Sequence, residues 1–449
     1  MTVSDVRARV AWLGAQTRPS SALVAALKSA DYALHRPPRR PIGGPAEIAL
    51  VDVRRAADPV GDAKDLLAKS GLLGAIVGVV ILASGTAAEA DRLALGAIGD
   101  VCLDPIGPKA VTARIRNRLR VAAIAEEAGD RLKSAVAAEL SVRMPVLTEG
   151  DSSPRLLFAG APSPLALKAM GAISDTEQTA VFNAGQALRA SDAMSFDATI
   201  FVPSGRDDLL LALARTLRRN SEFAGAPMFA LVEDPDVAAA FGLIGIEPVR
   251  RNQVDLAFAA KVRRAAERAR LVASLRRFLA DTRDAMLAAP DRTPTFFAAH
   301  ATRLGERARK SGRPFSLIGI VLRNSAGRAA DDAAAAALRQ ISCTCRAEDI
   351  PLLLGEGAVV IIAPATTYHD AMRIAARAAG VIAGRSRAHV SSASLKLDET
   401  SVLRPPAPDN CLTVDAVEWR PGDTPQSLIA RLFGQLKEGA DAASRRIGA

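Results

Sequence analysis

Between Ala8 and Arg120, short apolar runs alternate with amphipathic stretches: ARVAWLGA, AEIALVDV, GAIVGVVILAS and DVCLDP. No other feature restricts this chain so strongly. Brief apolar runs that recur with helical patterns between them are strands of a parallel sheet, whose crossovers are helices on its two faces. From Pro154 the pattern returns as PRLLFAG, DATIFVPS and APMFALVED. Each pass closes on a long Arg-rich helix, expected over Lys109–Leu140 and Val254–Ala288, whose polar face is expected to carry solvated charge. Two α/β domains of similar size follow one another, as a weak internal repeat.

After Pro290 the pattern changes. A helix over Thr295–Ser311 is followed by the strand FSLIGIVL, the helix AADDAAAAALRQIS, and the hairpin-like pair IPLLLGEGAVVIIAP, whose Gly355-Glu356-Gly357 tip marks a tight turn. A helix over His369–Ile382, a Pro-rich segment near RPPAPDN and a last helix over Thr424–Gly439 complete an α+β domain. The expected organisation is therefore three domains, 1–145, 152–285 and 286–449. At 449 residues, with 49% hydrophobic and 24% charged side chains, the chain has the length and balance to fold them all.

Composition excludes several classes of function. The net charge of +10 comes from 58 basic and 48 acidic residues, and no run of five or more basic residues concentrates it. Only 4% of residues are aromatic, with Trp12 and Trp419 the only tryptophans, so a stacking surface for a nucleic-acid polymer lacks material. Cys102, Cys343, Cys345 and Cys411 make neither a disulfide framework nor a C-x-x-C zinc pair, so a reducing cytoplasm is expected and no metal site. The start MTVSDVRARVAWLGA has no apolar signal core, and the most apolar stretch, Gly71 to Ser84, is too short to span a bilayer, so no membrane insertion is expected.

One motif stands out by spacing. Arg346-Ala347-Glu348-Asp349 precedes Gly355, which stands nine positions after Arg346, and DAMRIAAR carries Arg377 one helix later. By residue type alone, Arg346 and Asp349 could be a surface pair and Arg377 a solvated Arg beside Arg373. In register, the three resemble the GGDEF (diguanylate cyclase) family, where R-x-x-D stands at this distance before GG(D/E)EF. The first two domains resemble response-regulator receiver domains. Together the chain is similar to the receiver–receiver–GGDEF architecture of the PleD type. The implied fold class is α/β: two tandem receiver-like, flavodoxin-like doubly wound domains followed by a degenerate GGDEF-like α+β domain.

The departures from that pattern decide what is implied. Gly355-Glu356-Gly357-Ala358-Val359 replaces the signature, so Gly357 and Ala358 stand where the family has acids, and Val321 aligns with its other metal-binding Asp. The segment with the family's substrate contacts is shortened to NSAGRAADDA. Two-metal phosphoryl transfer needs carboxylate oxygens at those positions, so no catalytic residues and no cyclase activity are expected. What the resemblance retains is the product-binding I-site: Arg346, Asp349 and Arg377 as ligands of cyclic di-GMP, with Arg307 of ERARKSGRP as the arginine that a neighbouring domain contributes. The residue types suit this ligand. A guanidinium fork grips guanine O6 and N7 or a phosphate, and a carboxylate accepts from guanine N1–H and N2–H.

In the first receiver-like domain Asp52 occupies the phosphoacceptor position, but the first strand ends Leu13-Gly14-Ala15 without acids, and Asp104-Pro105 replaces the Lys-Pro step. Asp52 is therefore expected to be a vestigial phosphoacceptor, stripped of its electrostatic support. In the second, Val202 stands where the acceptor belongs. The resemblance implies a non-catalytic cyclic di-GMP receptor without cofactor, a homodimer, and a cell-cycle adaptor that brings protein partners to the cell pole and to the ClpXP protease. Two other readings stay open: a nucleotide-independent protein-interaction scaffold, and a residual cyclase partner subunit.

Overall fold

The computed structural model describes residues 8–14, 18–36, 46–72, 76–84, 94–96, 98–103, 107–143, 153–204, 208–219, 223, 226–324, 331–354, 357–386, 389–391 and 410–447. The chain divides into two compact units, one of Met1–Ala122 with Val146–Ser274, the other of Ala123–Pro145 with Leu275–Ala449. This division differs from the three segments expected from sequence, because residues 123–145, at the end of the first, belong to the unit that holds the last sheet.

The first unit contains two five-stranded parallel sheets. One is built from β1 (Ala8–Leu13), β2 (Tyr32–His35), β3 (Ile48–Asp52), β4 (Gly78–Ala83) and β5 (Asp100–Leu103), in the order β2-β1-β3-β4-β5. The other uses β6 (Arg155–Gly160), β7 (Glu177–Val181), β8 (Ala198–Val202), β9 (Met228–Leu231) and β10 (Glu247–Val249), in the order β7-β6-β8-β9-β10. The two orders are the same, so the repeat read from the apolar runs is a repeat of topology. It is the flavodoxin-like doubly wound order. Helix starts are written locally: Asp58 caps before Pro59, Ser163 before Pro164 and Asp234 before Pro235, each side chain accepting a backbone N–H of the first turn. Helix α1 spans Ser21–Ser29 and α2 spans Pro59–Lys69. Each sheet buries an apolar cluster on both faces, Val10, Leu50 and Leu82 on one side of the first sheet, Val51, Ile81 and Ala83 on the other.

Helix α3 (Pro108–Ala137) closes the first sheet. In the second, the helices are α4 (Pro164–Ala172), α5 (Ala184–Ala193), α6 (Asp208–Arg219), α7 (Pro235–Leu243) and the closing α8 (Leu256–Ala288). Within this unit the opening acid of each fifth strand takes one cation from its own closing helix and one from the other domain's. Asp100 pairs with Arg118 at 2.5 Å and with Arg268 at 3.3 Å, while Glu247 pairs with Lys261 and with Arg114.

The second unit holds α9 (Thr293–Ser311), β11 (Phe315–Asn324), α10 (Asp331–Ser342), β12 (Ile350–Leu353), β13 (Ala358–Pro364), α11 (Tyr368–Ser386), β14 (His389–Ser391), β15 (Asn410–Glu418) and α12 (Pro425–Ile447). Its sheet runs β12-β13-β11-β15-β14, antiparallel except for β14 with β15. Gly319 lies at the centre, where a Cβ would sit 2.5 Å from Leu436 Cδ1, so α12 packs directly on the strand backbone. This is the α+β domain expected after Pro290, and the three sheets together have the expected fold class.

Candidate functional site

The R-x-x-D segment is a turn between α10 and β12. Arg346 N–H donates to Asp349 Oδ2 at 2.9 Å, and Asp349 N–H donates back to the Arg346 carbonyl at 3.1 Å. This reciprocal pair fixes the turn and carries the Asp349 side chain inward, where the residue is 0% exposed. Its other oxygen, Oδ1, is buried with no hydrogen-bond partner among the described residues. Burial drives the Asp349 carboxyl up to about 6, with Glu348 adding to the rise and the Arg346 N–H, the Arg346 charge and Arg131 opposing it.

Arg346 and Arg377 are both exposed, and among the described residues neither guanidinium forms a hydrogen bond or ion pair. Arg377 lies on α11 between the buried pairs Ile374–Ala375 and Ala378–Ala379, which fixes its face of the helix. The Cys345 thiol, beside the turn, is pushed up to about 12 by burial and by Asp349, with the charges of Arg283 and Arg377 opposing the rise. The structure thus joins Arg346 and Asp349 in one turn and places Arg377 on the exposed face of α11.

Arg307 is placed differently. On α9 its guanidinium is held by Asp130, by Glu127 at 3.3 Å and by Glu126 at 4.0 Å, all on α3. Glu127 is completely buried and also meets Arg131 Nε and His300 Nε2, each at 3.0 Å. Burial favours its neutral form, but His300, Arg131 and Arg307 outweigh that and hold its carboxyl at about 2. Arg131 is also wholly buried, which corrects the expectation that the charges of this long helix are solvated. The reason is register: Ile124, Glu127, Ala128, Arg131, Ser134, Ala135 and Ala138 form one buried stripe at helical spacing, and two of its members are charged. That spacing was visible in AIAEEAGDRLKSAVAAEL, but hydropathy assigns Glu and Arg to the outside, so sequence reasoning missed both.

The positions that align with the family's metal ligands meet in space. Val321 of β11 is the cross-strand partner of Ala358 of β13, and both belong to the apolar core on that face, 8% and 1% exposed. Gly357, in the left-handed region at φ 69°, gives its carbonyl to Leu322 N–H at 3.0 Å. Gly355, Glu356 and residues 325–330 of the shortened segment lie outside the described residues.

In the first receiver-like domain Asp52 ends β3, with its side chain fully buried and gripped by Arg54: Nε to Oδ1 and Nη2 to Oδ2, both at 2.8 Å. The bidentate fork neutralises the carboxylate and covers both oxygens. Asp104 and Pro105 lie outside the described residues. In the second domain Val202 ends β8, and its carbonyl would be 2.1 Å from a Cβ added at Gly160, whose φ is 139°. Only glycine fits there.

No family model matches the chain and no curated protein matches it. Among solved structures it is similar to the signal receiver domain of an HD domain-containing protein from Pseudomonas fluorescens Pf-5, with 16% identity, a TM-score of 0.25, and coverage of 28% of this chain and 94% of that one. It is also similar to the diguanylate cyclase SiaD, solved with its activator SiaC, from Pseudomonas aeruginosa, with 17% identity, a TM-score of 0.25, and coverage of 53% and 89%. A two-component system response regulator/GGDEF domain protein is 13% identical at a TM-score of 0.22, with coverage of 59% and 99%. At such scores the likenesses add nothing to the topology already described.

Proposed function

We propose that this protein is a non-catalytic receptor for cyclic di-GMP, built on a PleD-type frame and resembling the effector PopA. Asp349 carries the reading. Its buried Oδ1 accepts no hydrogen bond among the described residues, Arg346 of the same turn is exposed, and the exposed Arg377 of α11 acts electrostatically on Cys345 beside it. A buried acceptor left open costs free energy, and a guanine Watson–Crick edge supplies the donors that would satisfy it. Arg346 and Arg377 then take guanine O6/N7 edges or phosphate oxygens of an intercalated dinucleotide pair. Arg307 of a neighbouring domain would first have to exchange Glu127 and Asp130 for the ligand.

The apolar pairing of Val321 with Ala358 supports the absence of cyclase chemistry, since neither of these two paired positions carries a carboxylate to hold a metal ion. Downstream, the reading is a homodimeric cytoplasmic adaptor of the cell cycle that brings protein partners to the cell pole and the ClpXP protease. It rests on the resemblance alone. Among the described residues no helix is long and apolar enough to cross a membrane.

Isothermal titration of the full chain with cyclic di-GMP tests the site. Binding in the micromolar range or tighter is expected, with Arg346→Ala weakening it by roughly ten- to a hundredfold, the usual range for a bidentate contact to a base. Absence of binding, or unchanged affinity in the variant, overturns the reading. The same protein incubated with GTP and Mg²⁺ is expected to form no cyclic di-GMP; product formation would favour the cyclase reading.

A further inference from the structure

We infer that Arg131 of α3 is the positioning residue of the R-x-x-D turn, and that ligand binding at the turn is coupled to the seating of the α3 segment that carries it. This rests on the receptor reading above. Arg131 Nη2 donates to the carbonyls of Ala347 at 3.1 Å and Glu348 at 2.6 Å, with the Asp349 carbonyl at 3.4 Å. Three successive peptide carbonyls of the motif therefore converge on one nitrogen. Nη1 donates to the Leu279 carbonyl of α8 at 2.8 Å, and Nε is held by Glu127. No side chain of the turn makes these contacts, so they constrain its backbone whatever the side chains are.

The consequence for the site is geometric. With three carbonyls turned toward Arg131, the backbone between Arg346 and Asp349 has one orientation. That orientation leaves the Arg346 side chain exposed and Asp349 buried, its Oδ1 without a hydrogen-bond partner among the described residues. A guanidinium can do this because its planar fork reaches two separate acceptor groups at once; a lysine ammonium at the same place is a single point. Arg131 is in turn locked by Glu127, which also holds His300 and Arg307, while Ser134 Oγ meets His300 Nδ1 at 3.2 Å. The α3 segment from Glu127 to Ser134 is thus wired to the turn on one side and to α9 on the other. Coupling free energies are reciprocal, so a ligand that prefers the ordered turn must also stabilise the seat of this segment.

The test uses the full chain and cyclic di-GMP. Hydrogen exchange of the amides of residues 127–137 is measured with and without saturating ligand, alongside titration of wild type, Arg346→Ala, Arg131→Lys and Glu127→Gln, with Arg373→Ala as an exposed control. The expected result is exchange slowed at least about fivefold by ligand in wild type, affinity lowered at least about tenfold in Arg131→Lys, and no change in the control. If wild type binds, and binding needs Arg346, but Arg131→Lys binds within about twofold and the helix amides are indifferent to ligand, this inference fails while the receptor reading stands. If wild type does not bind, both fail. Should Arg131→Lys not fold, ligand-dependent exchange in wild type and the Glu127→Gln affinity decide the matter, since a purely structural Arg131 predicts no ligand-dependent protection in α3.

Discussion

Asp349 couples the proposed ligand chemistry to pH. Its carboxyl stands at about 6 in the fold because burial disfavours the charge, against about 3.9 in an unfolded chain. Between those values the native state binds more protons than the unfolded one, so this residue's contribution to stability falls as pH rises from about 4 to 6 and remains lost above. Asp349→Asn is therefore expected to stabilise the ligand-free protein at pH 7 by up to about 3 kcal/mol, and to do little at pH 4. Thermal melts at the two pH values check this; a destabilised variant at pH 7 would refute it. A ligand that donates to the carboxylate favours the ionised form, so cyclic di-GMP affinity is expected to rise from pH 5 to 7 with proton release, seen by titration in buffers of different ionisation enthalpy. The groups that bear on this carboxyl are Arg346, Glu348, Arg131 and the Cys345 thiol.

At the scale of elements, long apolar runs announce the central strands: Ile48–Asp52 and Ala198–Val202 lie within the runs that mark them, and Phe315–Asn324 continues two polar residues past its run. Among the strands that the sequence pattern does not mark, Tyr32–His35, Glu177–Val181, Glu247–Val249 and His389–Ser391 are short edge strands, and the first three each bury only one residue, so hydropathy has little to register. Asn410–Glu418 was obscured by the Pro-rich segment before it. The same logic divides the site. Arg346, Asp349 and Arg377 were legible through spacing, whereas Glu127 and Arg131 depend on a partner surface that no local pattern records. Edge strands also carry the crossed ion pairs of the receiver-like domains. The Arg114 and Lys261 charges hold the Glu247 carboxyl at about 2 despite burial. Glu247→Ala leaves those two cations facing each other. It is expected to lower the melting temperature at about 0.05 M salt and to lose much of that effect at about 1 M, where like charges are screened. A penalty independent of salt would instead point to lost packing.

For the whole molecule, one feature matters beyond the ligand: the apolar core under the last sheet is completed by the end of α3 and the residues just after it. Ala135, Ala138 and Leu140 share an apolar cluster with Phe296, Phe297, Leu317 and Val360. Arg131 fills a fully buried position against the R-x-x-D turn. Yet these residues are encoded ahead of the entire second receiver-like domain. A fragment cut at the natural-looking boundary, 286–449, would expose that apolar face and lose the guanidinium beneath the turn. It is expected to show no cooperative melt and to bind a hydrophobic dye, while the full chain melts cooperatively. A fragment melting like the full chain would contradict this. The GGDEF-like part of this protein is then no transferable cassette: a truncation or gene fusion that removes the first receiver-like domain also removes a piece of the third, and a loss of function in such a chimera says nothing about phosphorelay.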